Sequence, residues 1–76
     1  MKPDHTVDCI GLYCPIPILK TREALDKMEV GQILELVSDD PAAEEDMKYF
    51  ARTTGHELLE SEKIEGGIRF LIKKTG

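Results

Sequence analysis

The chain has 76 residues, 41% of them hydrophobic, and a formal net charge of -5 at pH 7. This length favours a single small domain spanning residues 1–76, and the acidic charge disfavours tight binding to nucleic acid, which requires a basic surface. No apolar run approaches the roughly 20 residues of a membrane span, and the first residues lack the apolar core of a signal peptide. We therefore expect a cytoplasmic protein, and the small size and lack of an obvious apolar patch favour a monomer. Because the only cysteines are Cys9 and Cys14, we expect free thiols in a reducing compartment rather than a disulfide-rich secreted scaffold.

The first half of the chain predicts a strand, a helix and a second strand. Residues His5 to Ile10 alternate in polarity and predict a short strand that is broken at Gly11. A helix is predicted from Pro15 to Met28, with a buried stripe formed by Ile18, Thr21, Leu25 and Met28. The apolar run from Gln32 to Asp39 predicts a strand in the centre of the sheet.

The second half predicts a helix and a hairpin. Asp40 is the predicted N-cap of the second helix, Pro41 its first residue and Gly55 its C-terminal cap. Its predicted buried stripe consists of Ala43, Met47, Phe50 and Ala51. Strands are predicted at residues 56–64 and 68–74 around a Glu-Gly-Gly turn. In the last strand we expect Ile68, Phe70 and Ile72 on the covered face and Arg69, Leu71 and Lys73 on the open one.

The order of these elements predicts the fold class. Strand, helix, strand, helix, strand, strand is most simply folded as an α+β two-layer sandwich. We expect a four-stranded mixed sheet with both helices packed on one face.

The junction between the first strand and the first helix carries the sequence Cys-Pro-Ile-Pro at residues 14–17. With Cys14 as the N-cap, Pro15 occupies the first helical position, where a missing N–H costs nothing, and Pro17 removes another unpaired donor. The Ile16 N–H is then the predicted partner of the sulfur. The positive end of the helix dipole should lower the pKa of the Cys14 thiol and make it a nucleophile.

Four other residues are predicted to support this thiol. Gly11 gives the preceding loop a permissive backbone, and Asp8 anchors the loop by hydrogen bonding. Lys20 and Arg22 add positive potential if both face the rim around Cys14.

The spacing of the motif indicates a carrier of sulfur. Redox motifs of the Cys-x-x-Cys kind resolve a mixed disulfide with a second thiol, but here that position holds Pro17. A thiolate that captures sulfur without an adjacent resolving thiol retains it as a persulfide. The alternative from the residues alone is that Cys14 is only a weak helix cap, with Cys9 a buried small hydrophobe.

Other charged and metal-ligating residues predict no further site. The cysteine spacing does not fit a zinc pair, so a metal site with His5 and His56 is disfavoured, and we expect no metal and no cofactor. A solvated helix terminus explains the acidic cluster better than a cation site does; its members are Asp39, Asp40, Glu44, Glu45 and Asp46. The basic set Arg69, Lys73 and Lys74 is either an exposed face or a docking surface for an acidic partner.

The sequence resembles the TusA (SirA-like) family of small sulfur carriers over nearly its whole length. The resemblance rests on Asp8-x-x-Gly11-x-x-Cys14-Pro15-x-Pro17, on Asp-Asp-Pro-Ala at 39–42, on Gly-His-Glu-Leu at 55–58 and on Arg-Phe-Leu-Ile-Lys-Lys at 69–74. It implies the fold derived above and a persulfide on Cys14. It also implies a cysteine desulfurase or rhodanese-like protein as the sulfur donor, and a downstream protein acceptor in tRNA thiolation, molybdenum-cofactor supply or sulfur oxidation.

Three functions are therefore compared. The first is a sulfurtransferase-type carrier that works by persulfide exchange on Cys14. The second is a thiol-disulfide switch formed by Cys9, which lies outside the family motif, and Cys14. The third is a regulatory or adaptor domain in which Cys14 has no chemical role, and it predicts that Cys14→Ser retains function.

Overall fold

The computed structural model describes residues 2–13 and 16–75. In chain order the elements are β1 (His5–Cys9), α1 (Ile16–Asp26), β2 (Ile33–Ser38), α2 (Ala43–Thr54), β3 (Glu57–Ile64) and β4 (Gly67–Lys73). This is the predicted order, so the fold class is confirmed. Each boundary lies within about two residues of the predicted one, which is the usual uncertainty at element ends.

The four strands form one mixed sheet in the order β1-β2-β4-β3. β1 pairs with β2 in parallel through the α1 crossover, and β4 runs antiparallel to both β2 and β3. β1 and β3 are therefore the edge strands. No helix in the described ranges is long and apolar enough to cross a membrane.

The core lies between the sheet and the two helices. Leu34 and Leu36 of β2 face Phe70 and Ile72 of β4, and all four side chains are fully buried. The helices close this layer with a buried stripe from each: Thr21, Leu25 and Met28 from α1 and the segment after it, and Ala43, Met47, Phe50 and Ala51 from α2. Both predicted stripes are confirmed, except that Ile18 is only partly buried. Burying one such Leu or Phe side chain contributes about 1.5–3 kcal/mol.

Leu71 departs from the predicted pattern of β4. The alternation of β4 predicts Leu71 on the open face of the sheet, but Leu71 is only 2% exposed. β4 is a central strand, and Leu71 lies between Glu35 of β2 and Glu60 of β3 in the register. Long side chains on both neighbouring strands surround a residue in this position on the otherwise open face.

The predicted start of α2 is wrong. The N-cap is Ala42, which makes no side-chain capping bond, and the helix begins at Ala43. The Asp40 carboxylate accepts the Ala42 N–H at 2.9 Å and the Asp40 carbonyl accepts the Ala43 N–H at 3.0 Å. Asp40 thus closes a turn through Pro41 before the helix instead of capping it, a role that Asp side chains commonly take. The predicted C-terminal cap is confirmed, because Gly55 has φ +85°.

Candidate functional site

The loop between β1 and α1 is held by three backbone donors. The Ile10 N–H donates to the Asp8 carboxylate at 2.9 Å, and the Gly11 N–H donates to the Asp39 carboxylate at 3.0 Å. The Leu12 N–H donates to the Cys9 carbonyl at 3.1 Å. These bonds fix the chain immediately before the Cys-Pro-Ile-Pro motif.

Gly11 is suited to this loop by its backbone conformation. Its φ is +84°, in the left-handed region that L side chains rarely adopt. A Cβ at this position would meet nothing within 4 Å, so glycine is favoured here by the dihedral angle and not by crowding.

Asp39 is a loop anchor that the sequence did not reveal. β1 and β2 are parallel and Cys9 lies opposite Ser38, so both strands end at the same edge of the sheet. The residue after β2 therefore meets the loop after β1. The available signal was the pair of parallel strands itself, since polar residues that follow such strands lie close together.

The first turn of α1 is bonded to the preceding loop and to the core. The Ile16 N–H donates to the Tyr13 carbonyl at 2.9 Å, and its predicted contact with the Cys14 sulfur lies outside the described residues and stays a prediction. Pro17 is buried, and its carbonyl accepts the Thr21 hydroxyl at 2.7 Å. This docks the beginning of the helix onto the core.

Cys14 and Pro15 lie outside the described residues. The prediction that Cys14 caps the helix, that Pro15 is its first residue and that the thiol has a lowered pKa stays a prediction. The chain on either side is described, and it ends the fixed loop at Tyr13 and resumes in helix at Ile16.

The predicted pair Lys20 and Arg22 does not share one rim. Lys20 lines a cleft between α1 and β1, whereas Arg22 lines the groove between α1 and α2 beside Asp46. Two residues on a helix are about 200° apart around its axis, which separates these side chains onto opposite flanks. Their placement relative to the Cys14 sulfur lies outside the described residues, so their support of the thiol stays a prediction.

The surface next to the motif is apolar. Tyr13 is 63% exposed, Ile16 40% and Leu19 50%. The first turn of α1 contains no acidic residue. The beginning of α1 therefore presents exposed, uncharged side chains.

Cys9 is fully buried in the core on the helix side of β1. Burial raises the pKa of its thiol; Lys20 opposes this effect and Asp8 adds to it. A buried neutral thiol is a poor nucleophile. Cys9 has the environment of a core residue.

His56 has partners within the fold. His56 stacks on Phe50 with ring centroids 6.2 Å apart and accepts the Thr75 N–H at 3.3 Å. Among the described residues no group of three His, Cys, Asp or Glu side chains is arranged to hold a metal.

The predicted basic docking set is largely engaged within the protein. The Arg69 guanidinium pairs with Glu35 at 3.1 Å and with Glu62 at 3.4 Å. The Lys74 ammonium donates to the Met28 carbonyl at 2.6 Å. Arg69 and Lys74 are therefore structural contacts and not free cations for a partner.

Comparison with known proteins identifies the family. The family model for sulfurtransferase TusA matches residues 5–74. The chain belongs to the TusA family. It therefore shares the family's character as a sulfur carrier, which implies a sulfur donor and a sulfur acceptor.

Individual relatives agree along nearly the full length. A putative sulfur carrier protein of Archaeoglobus fulgidus is 52% identical over 68 residues, covering 88% of each chain. The sulfur carrier protein TusA of Allochromatium vinosum is 43% identical over 72 residues, covering 95% of each. The crystal structure of a SirA-like protein from Desulfitobacterium hafniense superposes with a TM-score of 0.81 at 27% identity, covering 95% of this chain and 99% of that one.

Proposed function

We propose that this TusA-family protein accepts sulfane sulfur on Cys14 as a persulfide and passes it to a protein acceptor. The observation that carries the proposal is the fixed loop before Cys14, held at Gly11 by Asp39 at 3.0 Å and at Ile10 by Asp8 at 2.9 Å. The described loop ends at Tyr13, directly before Cys14 in the sequence, and α1 begins at Ile16 with a first turn that has no competing carboxylate.

The transfer steps need no external oxidant or reductant. In loading, the Cys14 thiolate attacks the outer sulfur of a donor persulfide, a bond forms between the two sulfurs, and the donor's S–S bond breaks to release its cysteine thiolate. The proton of the persulfide stays with the transferred sulfur. In unloading, an acceptor thiolate attacks that outer sulfur and Cys14 leaves as a thiolate.

Retention of the sulfur follows from the absence of a nearby resolving thiol. The position that a Cys-x-x-Cys motif would use holds Pro17, which is buried. The remaining thiol, Cys9, is 0% exposed. A persulfide on Cys14 then awaits a thiol from another protein, such as the acceptor in a sulfur relay, after loading by a desulfurase or rhodanese-like donor.

The test is intact-mass analysis after incubation with a cysteine desulfurase and cysteine. Wild type and Cys9→Ala should gain one sulfur atom that dithiothreitol removes, and Cys14→Ser should gain none. Cys9→Ala is the matched control because it removes the other thiol. A gain that persists in Cys14→Ser, or no gain from the desulfurase, from polysulfide or from thiosulfate with a rhodanese, would overturn the proposal.

The burial of Cys9 weighs against the thiol-disulfide switch. Forming a disulfide requires an accessible sulfur, and the Cys9 sulfur is buried, so the switch would require local opening around β1. Mild oxidation should therefore leave the Cys9 thiol free.

A further inference from the structure

β1 has an unpaired outer edge in the part of the chain that the structure describes. The Lys74 N–H donates to the Gln32 carbonyl at 2.9 Å, so the backbone of Gln32 faces β4. Because this direction alternates along a strand, the backbone groups of even-numbered residues of β2 face β4 and those of odd-numbered residues face β1. Glu35 lies opposite Thr6 in the parallel register and therefore bonds to the residues on either side of Thr6. The backbone groups of Thr6 and Asp8 thus face the free edge.

The two edges of the sheet differ in their protection. β3 has an irregularity between Leu58 and Glu60 and carries several charged side chains, features that discourage pairing with another strand. β1 runs in regular register without proline or bulge. Its one charged side chain, Asp8, is bonded to the Ile10 N–H. β1 is thus the edge open to strand addition.

A cleft of about 300 Å³ borders this edge between β1 and α1. Its polar side chains on the helix side are Lys20 and Glu23 of α1 and Lys27, which directly follows α1. The Lys27–Glu23 pair is 3.9 Å long with both side chains largely exposed, so it neutralises little. In a chain with a net charge of -5, two ammonium groups against one carboxylate make this cleft a local cationic site.

We propose that β1 and this cleft bind an extended acidic segment of a protein partner as an added strand. Alternate side chains of such a strand point to the helix side, where Lys20 and Lys27 lie. The side chains between them share the open face with Asp8 and Glu35, where acidic residues are disfavoured. The segment recognised here is acidic at alternate positions and uncharged between them.

A second copy of this chain fits the edge poorly. Pairing β1 with β1 of another molecule brings two cationic clefts together, and like charges opposite each other are unfavourable. The charge of the cleft therefore selects an acidic partner over self-association.

A peptide of alternating Glu and Thr is the probe, with a peptide of alternating Lys and Thr as its control. The acidic peptide should slow amide hydrogen exchange at Thr6 and Asp8 and bind more tightly at low salt. Thr6→Pro removes an edge N–H and should abolish binding, whereas Thr6→Val, which also loses the hydroxyl contact with Glu35, should retain it.

Two charge-reversal variants distinguish the effect of the cleft on binding from the effect of the overall charge. Lys20→Glu should weaken binding roughly fivefold or more at low salt, while Lys48→Glu, the same change on α2, should alter it by less than about twofold. If Thr6→Pro does not fold, the comparison of Lys20→Glu with Lys48→Glu tests the proposal instead. Cys14→Ser should bind as wild type does, so failure of this proposal is distinct from failure of persulfide transfer.

Five results would overturn the inference. They are no protection of Thr6 and Asp8 by the acidic peptide, equal binding of the basic peptide, unchanged binding by folded Thr6→Pro, an equal effect of Lys20→Glu and Lys48→Glu on binding, and protection of the β1 amides by concentration-dependent dimerisation without peptide.

Discussion

Asp39→Ala tests whether the anchored loop serves sulfur transfer. The change removes the carboxylate that accepts the Gly11 N–H at 3.0 Å. Hydrogen bonds to charged groups contribute about 1.5–3 kcal/mol, and because Asp39 is exposed we expect a loss at or below the lower end, about 1–1.5 kcal/mol. The loss falls on the loop three residues before Cys14.

The expected rate follows from that free energy. Since about 1.4 kcal/mol corresponds to a factor of ten, the fixed loop conformation becomes at most about tenfold less favourable. Loading of Cys14 from a donor persulfide should slow by about three- to tenfold, and the free energy of unfolding should fall by no more than about 1.5 kcal/mol.

Quenched-flow loading followed by intact-mass analysis measures the rate. Asp39→Asn is the control, because its amide oxygen still accepts the Gly11 N–H, and it should load within about threefold of wild type. Removing a nearby negative charge would by itself favour the Cys14 thiolate and speed the reaction. Wild-type loading by folded Asp39→Ala, or an equal loss in both variants, would refute the anchoring argument.

Three further predictions concern the thiols and His56. In the native protein only Cys14 should react rapidly with Ellman's reagent, and Cys9 should react after denaturation; rapid reaction of both would contradict the burial of Cys9. Burial lowers the pKa of His56 below its ordinary value of 6.5, so stability should fall as pH decreases through 6.5 toward the folded pKa, and urea unfolding should show a smaller fall in His56→Gln. An equal fall in stability in wild type and His56→Gln would contradict this role of His56. Ile16→Glu should raise the pKa of the Cys14 thiol relative to Ile16→Gln, because a carboxylate in the first turn of α1 repels a thiolate, measured by alkylation against pH in Cys9→Ala; the absence of a shift would mean that a charge in this turn does not act on the thiol.

Local patterns predicted most of the fold. The stripe of Ala43, Met47, Phe50 and Ala51 and the cap at Gly55 follow from helical spacing and from the φ that glycine permits, which need no knowledge of neighbours. Leu71 was misplaced because its burial depends on residues opposite it on two other strands.

The site was less predictable, because its contacts join residues that are distant in sequence. Asp8 bonds two residues ahead and was foreseen as a loop anchor; Asp39 reaches Gly11 across 28 positions and was not. Lys20 and Arg22 were paired by proximity in sequence, although a helix places them on opposite flanks. In each case the missing information was which elements lie side by side.

The two helices differ in the number of acidic residues in their first turns. The first turn of α2 carries Glu44, Glu45 and Asp46, whereas the first turn of α1 carries no acid. Each acidic residue at a helix N-terminus adds about 0.3–1 kcal/mol of stability, so α1 lacks a stabilisation that α2 has. A carboxylate there would compete for the positive end of the dipole and repel a thiolate. The acid-free turn is therefore compatible with the charged sulfur proposed at Cys14.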